Sequence, residues 1–253
     1  MTDNVGNTAG GNAMPAGAAQ AAGCTHVSVV VDRSGSMASI ADDVIGGFNG
    51  FLSEQRAAPG KATLSLVQFD SQDPYEKIYN FQLLPTVPEL TRKTFVPRGM
   101  TPLLDAVGMN IEELDATLAR LGDGERPAKI LVVVVTDGQE NHSQRFRHQD
   151  IKRLIDARTE LGWEFVFLAA DLGAFEDAER MGFRESHRMA FDKSGRGARD
   201  AFGDFSKNVR MMRSGEKSAA YFDEVDRLKH DMERTRRGGG RPQRDPRDPA
   251  DRT

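Results

Sequence analysis

Three short segments of the chain combine hydroxyl and carboxylate side chains. They read Asp-Arg-Ser-Gly-Ser at 32–36, Gly-Met-Thr-Pro at 99–102 and Thr-Asp-Gly at 136–138. Hydroxyl and carboxylate oxygens are hard donors that suit Mg²⁺, Mn²⁺ or Ca²⁺ and suit zinc or copper poorly. Alternation in the first segment lets one loop direct several oxygens at a single point. The candidate metal ligands are Asp32, Ser34, Ser36, Thr101 and Asp137.

Strands and helices alternate along the chain, which indicates an α/β fold. Nearly continuous apolar runs predict strands that are buried on both faces, and the run at 130–135 is the strongest. The strand at 75–84 should be antiparallel to its predecessor because the connection is short. We therefore expect a mostly parallel sheet with helices on both faces. Strands are predicted at 25–31, 62–69, 75–84, 130–135, 163–169 and 187–191, and helical apolar stripes at 40–52, 103–121, 151–161, 175–181 and 202–212.

These elements place the three segments at one edge of the predicted sheet. In open α/β sheets, ligands bind outside the carboxyl ends of the strands. The segments at 32–36 and 136–138 follow strands, and the segment at 99–102 comes directly before a helix. If the hydroxyls bind an ion directly while the two carboxylates act through water, the inner ligands are neutral. The ion then keeps much of its charge and should attract a carboxylate from outside.

Each candidate ligand also has an ordinary structural interpretation. Ser36 and Thr101 could be helix N-caps, with Pro102 at the first helical position, and Asp137-Gly138 could be a simple turn. These alternatives stay open for each residue by itself. The joint occurrence of metal-suited side chains in three loops at one edge favours a shared metal site.

Composition excludes several other classes of protein. The 253 residues carry 34 Lys and Arg against 38 Asp and Glu, a net charge of −4, which does not indicate a nucleic-acid surface. No apolar run reaches the roughly 20 residues of a membrane helix, so no membrane partner is expected. The single cysteine, Cys24, excludes an internal disulfide. Small residues precede it as in a lipoprotein, but the basic and apolar regions of a signal peptide are absent, so a cytoplasmic protein is expected over a lipidated one.

Four segments follow from composition. Residues 1–23 are rich in Gly and Ala and predict a disordered arm, and 24–215 form the folded domain. Residues 216–235 predict a charged amphipathic helix, which could pack on the domain or face a partner. Residues 236–253 predict a disordered basic tail rich in Pro, Gly and Arg. That tail is either solvated or in weak contact with nucleic acid or an acidic protein.

The segments at 32–37, 99–106 and 135–141 together resemble the three motif segments of a von Willebrand factor type A (VWA) domain. The resemblance covers roughly residues 24–215 and is closest to stand-alone intracellular bacterial or phage members. It implies a Rossmann-like, doubly wound six-stranded sheet with one antiparallel edge strand, and an intact metal-ion-dependent adhesion site (MIDAS).

The resemblance also implies a role for each ligand. Ser34 and Ser36 would bind the metal directly, and Thr101 would join them in the ligand-competent state. The carboxylates of Asp32 and Asp137 would be held mainly through waters. Met100 stands where the family usually has glycine, which removes no ligand, and Asp105 would support the site or the start of its helix.

By this resemblance the chain is a protein-binding module and not an enzyme. The bound cation, Mg²⁺ or else Mn²⁺ or Ca²⁺, would be completed by an Asp or Glu of a protein partner. Similar bacterial proteins often work beside AAA+ ATPases of the MoxR type. This chain has no phosphate-binding Gly-x-x-x-x-Gly-Lys-Ser/Thr loop, so such an ATPase would be a separate subunit.

Two other functions are alternatives to this one. A magnesium-dependent phosphatase or phosphotransfer enzyme with Asp32 as nucleophile is disfavoured, because the second aspartate expected two residues later is Ser34. An RNA-associated VWA protein would usually carry a further RNA-binding domain. Four basic residues after the third segment either belong to a solvated loop or help to select an anionic partner: His142, Arg145, Arg147 and His148.

Overall fold

The computed structural model describes residues 21–122, 124–193 and 196–224 and contains one six-stranded sheet. Its strand order is β3-β2-β1-β4-β5-β6, and only the β2–β3 pair is antiparallel. This confirms the predicted mostly parallel sheet with one antiparallel edge strand. The strands are β1 (Ala21–Asp32), β2 (Ala62–Phe69), β3 (Glu76–Leu83), β4 (Pro127–Thr136), β5 (Glu164–Ala169) and β6 (Arg188–Ala190).

Helices cover both faces of the sheet and bury two apolar clusters. Helices α1 and α5 pack on the face that carries Val29 of β1, and α2, α3 and α4 pack on the face that carries Val30. Burial on both faces explains why β1 and β4 are continuous apolar runs rather than alternating ones. The helices are α1 (Ala41–Ala57), α2 (Leu103–Arg120), α3 (His148–Glu160), α4 (Leu172–Arg180) and α5 (Gly197–Ser214). Among the described residues, none of these helices is long and apolar enough to cross a membrane.

The direction of strand addition reverses between β1 and β4. From β1 the chain builds outward through β2 to β3, and it then returns to build β4, β5 and β6 on the other side. Val31 pairs with Val135 across this junction, so Asp32 and Thr136 lie next to each other where the two strands end. This is the switch point at which ligands bind in doubly wound sheets.

Strand β1 begins earlier than the sequence predicted. Ala21 already pairs with Pro127, and the register then shifts before Thr25 pairs with Lys129. Gly23 has φ of +82°, a conformation that favours glycine and permits this irregularity. The predicted disordered arm is therefore wrong for residues 21–23, and residues 1–20 lie outside the described part.

The predicted helix at 216–235 is wrong for residues 216–223. Gly215, with φ of +82°, ends α5 in the left-handed conformation, and the chain then follows an irregular path. Ala220 and Phe222 are buried in the cluster beneath α1 and α5, and the Phe222 amide donates to the Ser186 carbonyl at 2.8 Å. Because these two side chains are buried in the core, the chain at 216–223 follows an irregular path and not the helix that its apolar periodicity predicted. The rest of the predicted helix and the basic tail, from residue 225 onward, lie outside the described residues.

This segment gives a test of the fold. Replacing Phe222, which is 1% exposed, by alanine should lower the free energy of unfolding by about 3–5 kcal/mol, because it leaves a cavity in the cluster. Leu161→Ala is the control, since Leu161 is 73% exposed and its loss should change stability by less than about 0.5 kcal/mol. Urea unfolding measures both. Equal stability of the two variants would contradict the assignment of Phe222 to the core.

Candidate metal centre

Asp32 anchors the candidate site at the end of β1. Its side chain is fully buried and accepts two hydrogen bonds of 2.6 Å, from the Ser34 amide to Oδ1 and from the Thr136 hydroxyl to Oδ2. Burial raises the pKa of Asp32 to about 7, although the bonds from Thr136 and Ser34 act in the opposite direction, and nearby Asp137 raises it further. The carboxyl group thus ties the ends of β1 and β4 to the first loop.

Three of the predicted ligands form one hydrogen-bonded chain. Ser34 Oγ lies 3.0 Å from Ser36 Oγ, and Ser36 Oγ donates to Asp137 Oδ1 at 2.5 Å. Ser34 and Asp137 are buried, whereas Ser36 is exposed and opens the cluster to solvent. The capping interpretation of Ser36 is wrong, because α1 has Ile40 at its N-cap and no side-chain cap bond.

Thr101 is brought to the same place by the loop after β4. The Thr101 amide donates to Asn141 Oδ1 at 2.8 Å, and the Asn141 amide donates back to the Thr101 carbonyl at 3.1 Å. A Cβ placed on Gly138 would lie 3.7 Å from Ser36 Oγ and 3.8 Å from Thr101 Oγ1. The two hydroxyls therefore border one small space that the missing side chain of Gly138 leaves open. Pro102, and not Thr101, occupies the N-cap position of α2.

Two acidic side chains hold the loop after β4 against the start of α2. Glu140 accepts bonds from the amides of Leu104 at 2.8 Å and of residues 142 and 143 at 2.8 and 2.6 Å. Asp105 accepts from the amides of residues 144–146 at 2.8 to 2.9 Å. Asp105 therefore organises the loop that positions Thr101, which is the supporting role that the resemblance implied. This role of Glu140 in holding the loop was not predicted, although Glu140 lies within the segment at 135–141.

A buried ion pair holds the loop that follows β1. Arg33 Nε donates to Asp70 Oδ2 at 2.8 Å, and Arg98 Nε donates to the same oxygen at 3.0 Å. Burial raises the pKa of Asp70, but hydrogen bonds from Arg98, the Gln72 amide and Arg33 outweigh that effect and hold it below its usual value. Asp70 was not predicted from the sequence. Its signal is the one that revealed Asp32 and Asp137, an aspartate directly after a buried strand.

The segment at 99–102 is fixed by its backbone. The Gly35 amide donates to the Gly99 carbonyl at 3.1 Å, and the Met100 amide donates to Ser71 Oγ at 2.9 Å. Gly99 has φ of +70°, and a Cβ there would lie only 2.6 Å from Ser71 Oγ, so this position requires glycine. The side chain of Met100 is 46% exposed. The methionine at this position is therefore accommodated without displacing the backbone that carries Thr101.

One cation reaches the site from the loop after β6, two strands away from β4. Lys193, in the loop between β6 and α5, has Nζ 3.5 Å from Asp137 Oδ2. That oxygen is buried and has no hydrogen-bond partner, and at this distance the contact is an ion pair rather than a well-aligned hydrogen bond. Lys193 was not predicted from the sequence, because nothing local to its loop indicates a contact with the end of β4.

Two of the four basic residues after the third segment, Arg145 and His148, make local contacts. His148 Nε2 lies 2.9 Å from Asp177 Oδ1, and Arg145 donates to Glu112 at 2.5 Å and stacks 4.8 Å from the Phe146 ring centre. These contacts favour the interpretation as a loop and helix start. Within the described ranges, no group of three or more His, Cys, Asp or Glu is placed to hold a metal.

The remaining donor set fits a hard divalent cation. It consists of neutral hydroxyls and two carboxylates, and one carboxylate oxygen, Asp137 Oδ2, is buried with no hydrogen-bond donor. An open space beside Gly138 adjoins the Ser36 and Thr101 hydroxyls. Oxygen donors around such a space suit Mg²⁺, Mn²⁺ or Ca²⁺.

No model of a known protein family matches the chain, and no curated protein matches it. Solved structures do match it. Proximal thread matrix protein 1 from the mussel byssus, solved with a zinc-occupied MIDAS motif, aligns with 16% identity and a TM-score of 0.52 over 76% of this chain and 47% of that one. The pilus adhesin SpaC from Lactobacillus rhamnosus GG, in an open conformation, aligns with 14% identity and a TM-score of 0.55 over 76% of this chain and 30% of that one.

A von Willebrand factor type A structure from Catenulispora acidiphila aligns less well, with 12% identity and a TM-score of 0.48 over 74% of this chain and 42% of that one. The chain spans less than half the length of these structures. Identities this low show the fold and nothing further. The two structures with TM-scores above 0.5, together with the strand order, confirm the predicted α/β fold class.

The burial of Asp32 predicts how stability depends on pH when metal is removed with EDTA. Its pKa rises from 3.8 when exposed to about 7 in the fold, so its contribution to stability is complete below pH 4 and is lost as the pH rises through 7. The free energy of unfolding should fall by about 1 kcal/mol between pH 6 and 8 from this group, because one pKa unit corresponds to about 1.4 kcal/mol. Urea unfolding at pH 6, 7 and 8 measures it. Asp32→Asn does not titrate there, so parallel profiles for the two proteins would contradict the prediction.

Proposed function

We propose that this protein is a binding module that depends on a divalent cation and captures an acidic side chain of a protein partner. Ser34, Ser36 and Thr101 would hold Mg²⁺, or else Mn²⁺ or Ca²⁺, and Asp32 and Asp137 would support it through water. The observation that carries the proposal is the convergence of these oxygens at the β1–β4 switch point. The MIDAS-containing fold of the zinc-loaded byssus protein supports a cation at this position.

The hydrogen bonds at the site suit this role. Both oxygens of Asp32 already accept bonds from Ser34 and Thr136, which keeps that carboxylate back from the ion. The hydroxyls of Ser34 and Ser36 are neutral metal ligands, and the exposed Ser36 opens the site to solvent. A divalent ion held there would keep most of its charge and supply an electrostatic attachment for a carboxylate.

The surroundings of the site favour a protein as the ligand. Ser36 is exposed, so a side chain of a partner can reach it. Met100, directly before Thr101, is 46% exposed and offers an apolar contact beside the charged centre. An apolar contact next to a polar anchor is a common arrangement at protein interfaces.

The same geometry favours binding over catalysis. In the rival phosphatase hypothesis Asp32 is the nucleophile, yet its side chain is fully buried and both of its oxygens are engaged. A nucleophile must reach the reacting atom, and Asp32 has no free path to one. The RNA hypothesis depended on the basic tail, which lies outside the described residues.

The partner and the location are further parts of the proposal. The resemblance to intracellular VWA proteins supports a role as adaptor for a separate AAA+ ATPase of the MoxR type, in addition to binding the protein ligand that presents the Asp or Glu. A cytoplasmic location agrees with Cys24, a free and buried thiol, as the single cysteine.

Metal binding can be tested with glycine variants. Mg²⁺ should raise the melting temperature of the protein, with about 2.7 kcal/mol of stabilisation at a concentration 100 times Kd. Gly138→Ala should fold normally in EDTA, because its methyl group meets only ordinary contacts, but should bind at least about tenfold more weakly because it fills the space between Ser36 and Thr101. Isothermal titration with Mn²⁺ measures the affinity.

Gly203→Ala is the matched control for Gly138→Ala. Gly203 lies in α5 with nothing within 4 Å of an added Cβ, so alanine should raise stability by up to about 1 kcal/mol with and without metal. Its response to Mg²⁺ should equal that of the unaltered protein. An unchanged metal affinity in Gly138→Ala would show that no ion binds in the space beside Gly138.

Capture of a carboxylate can be tested with random peptides displayed on phage. Peptides selected on the immobilised protein in Mg²⁺ and released with EDTA should be enriched in Asp or Glu, because the cation lacks an anionic ligand. Asp137→Ala should select no such peptides under the same conditions. Enrichment that is equal with Asp137→Ala, or that shows no acidic residues, would refute the proposed ligand.

A further inference from the structure

Lys193 is the ion-pair partner of a residue of the candidate metal centre and has no part in the function proposed above. It follows β6, yet its Nζ lies 3.5 Å from Asp137 Oδ2 at the end of β4. The Lys193 side chain is 44% exposed, whereas that of Asp137 is 1% exposed. The pair therefore joins a buried anion to a cation at the protein surface.

The two oxygens of Asp137 have different partners. Oδ1 accepts the 2.5 Å bond from Ser36, which places it in the chain of candidate ligands. Oδ2 has no hydrogen-bond donor and has Lys193 as its charged neighbour. A buried carboxylate is costly without a counter-charge, so Lys193 stabilises the protein when no metal is bound.

A divalent ion and the Lys193 ammonium would both lie beside this one carboxylate. Like charges a few ångströms apart repel each other strongly where water is partly excluded. We propose that Lys193 is a built-in competitor of the divalent ion for Asp137, and that it sets the cation concentration at which the site fills. This inference rests on the proposed function, since it assumes that the ion binds at Ser34 and Ser36.

The exposure of Lys193 allows it to be displaced. Its half-exposed ammonium can leave Asp137 for solvent once a divalent ion supplies the counter-charge, because water can solvate the lysine charge. The neighbouring Arg33–Asp70 pair differs, since its side chains are 6% and 0% exposed and it also holds the loop after β1. Of these two pairs, the one with Lys193 can exchange its cation without disturbing the fold.

The test compares metal affinity in four forms of the full chain after chelator treatment: the unaltered protein, Lys193→Met, Lys193→Arg and Lys152→Met. Lys152 is a matched control because it is 52% exposed and pairs with Asp156 at 2.7 Å on α3. Isothermal titration with Mn²⁺ should give about tenfold tighter binding for Lys193→Met, since a repelling charge is removed and the long side chain is kept. Lys193→Arg and Lys152→Met should bind like the unaltered protein.

A second measurement separates competition from a merely structural effect. In EDTA, Lys193→Met should melt below the unaltered protein, because Asp137 loses its counter-charge, and it should gain more from saturating Mg²⁺. Mn²⁺ affinity in Lys193→Met that is equal to or weaker than that of the unaltered protein overturns the inference and leaves the proposed function intact. If none of the four forms binds Mn²⁺, both the inference and the proposed metal site are wrong.

Discussion

Two carboxylates, Asp32 and Asp137, are buried next to each other where β1 and β4 end. Several surrounding groups offset the free-energy cost of burying them. Like charges in a poorly solvated place raise the free energy of the ionised state. The protein meets this cost with donors to Asp32 and with a hydroxyl and an ammonium at Asp137. Burial raises the pKa of Asp32 to about 7 although Thr136 and Ser34 donate to it, so these donors offset only part of the cost of burying its charge.

The loops around this pair are positioned by hydrogen bonds to backbone amides more than by apolar packing. Glu140 and Asp105 accept from amides on α2 and on the loop after β4, and Asn141 pairs with the backbone of Thr101. Acceptors of this kind fix several amides at once, and these bonds use none of the hydroxyls of Ser34, Ser36 and Thr101. A loop held in this way can present Thr101 without using its side chain for structure.

The sequence predicted the parts of the protein that depend on local pattern. Continuous apolar runs identified the strands, and the position of Asp32 and Asp137 directly after strands predicted that both lie at the same edge of the sheet. The short connection to β3 correctly predicted its antiparallel direction. The strand predictions are correct because each depends on the pattern within one segment of the chain. The doubly wound strand order then brings the ends of the strands together.

The features that the sequence did not predict depend on contacts between segments that are distant in sequence. Periodicity suggested a helix after Gly215, but it could not show that Ala220 and Phe222 fill the core under α1 and α5. The contact of Lys193 with Asp137 has no local signature either, since it exists only because the loop after β6 extends over the end of β4. Asp70 also follows a buried strand directly, as the predicted ligands Asp32 and Asp137 do. The sequence therefore could not distinguish its role in the ion pair with Arg33 from the role of a metal ligand.

Two acid–cation pairs at this edge of the sheet show how the same chemistry can serve different purposes. Arg33 and Asp70 are both buried, and breaking a buried pair leaves a charge without solvent or partner, which costs several kcal/mol. In the pair of Lys193 and Asp137 only the anion is buried, so the cation can leave and another cation can take its place. Burial of the cation, and not the strength of the contact, therefore separates a pair that holds the fold from a pair that can respond to a ligand.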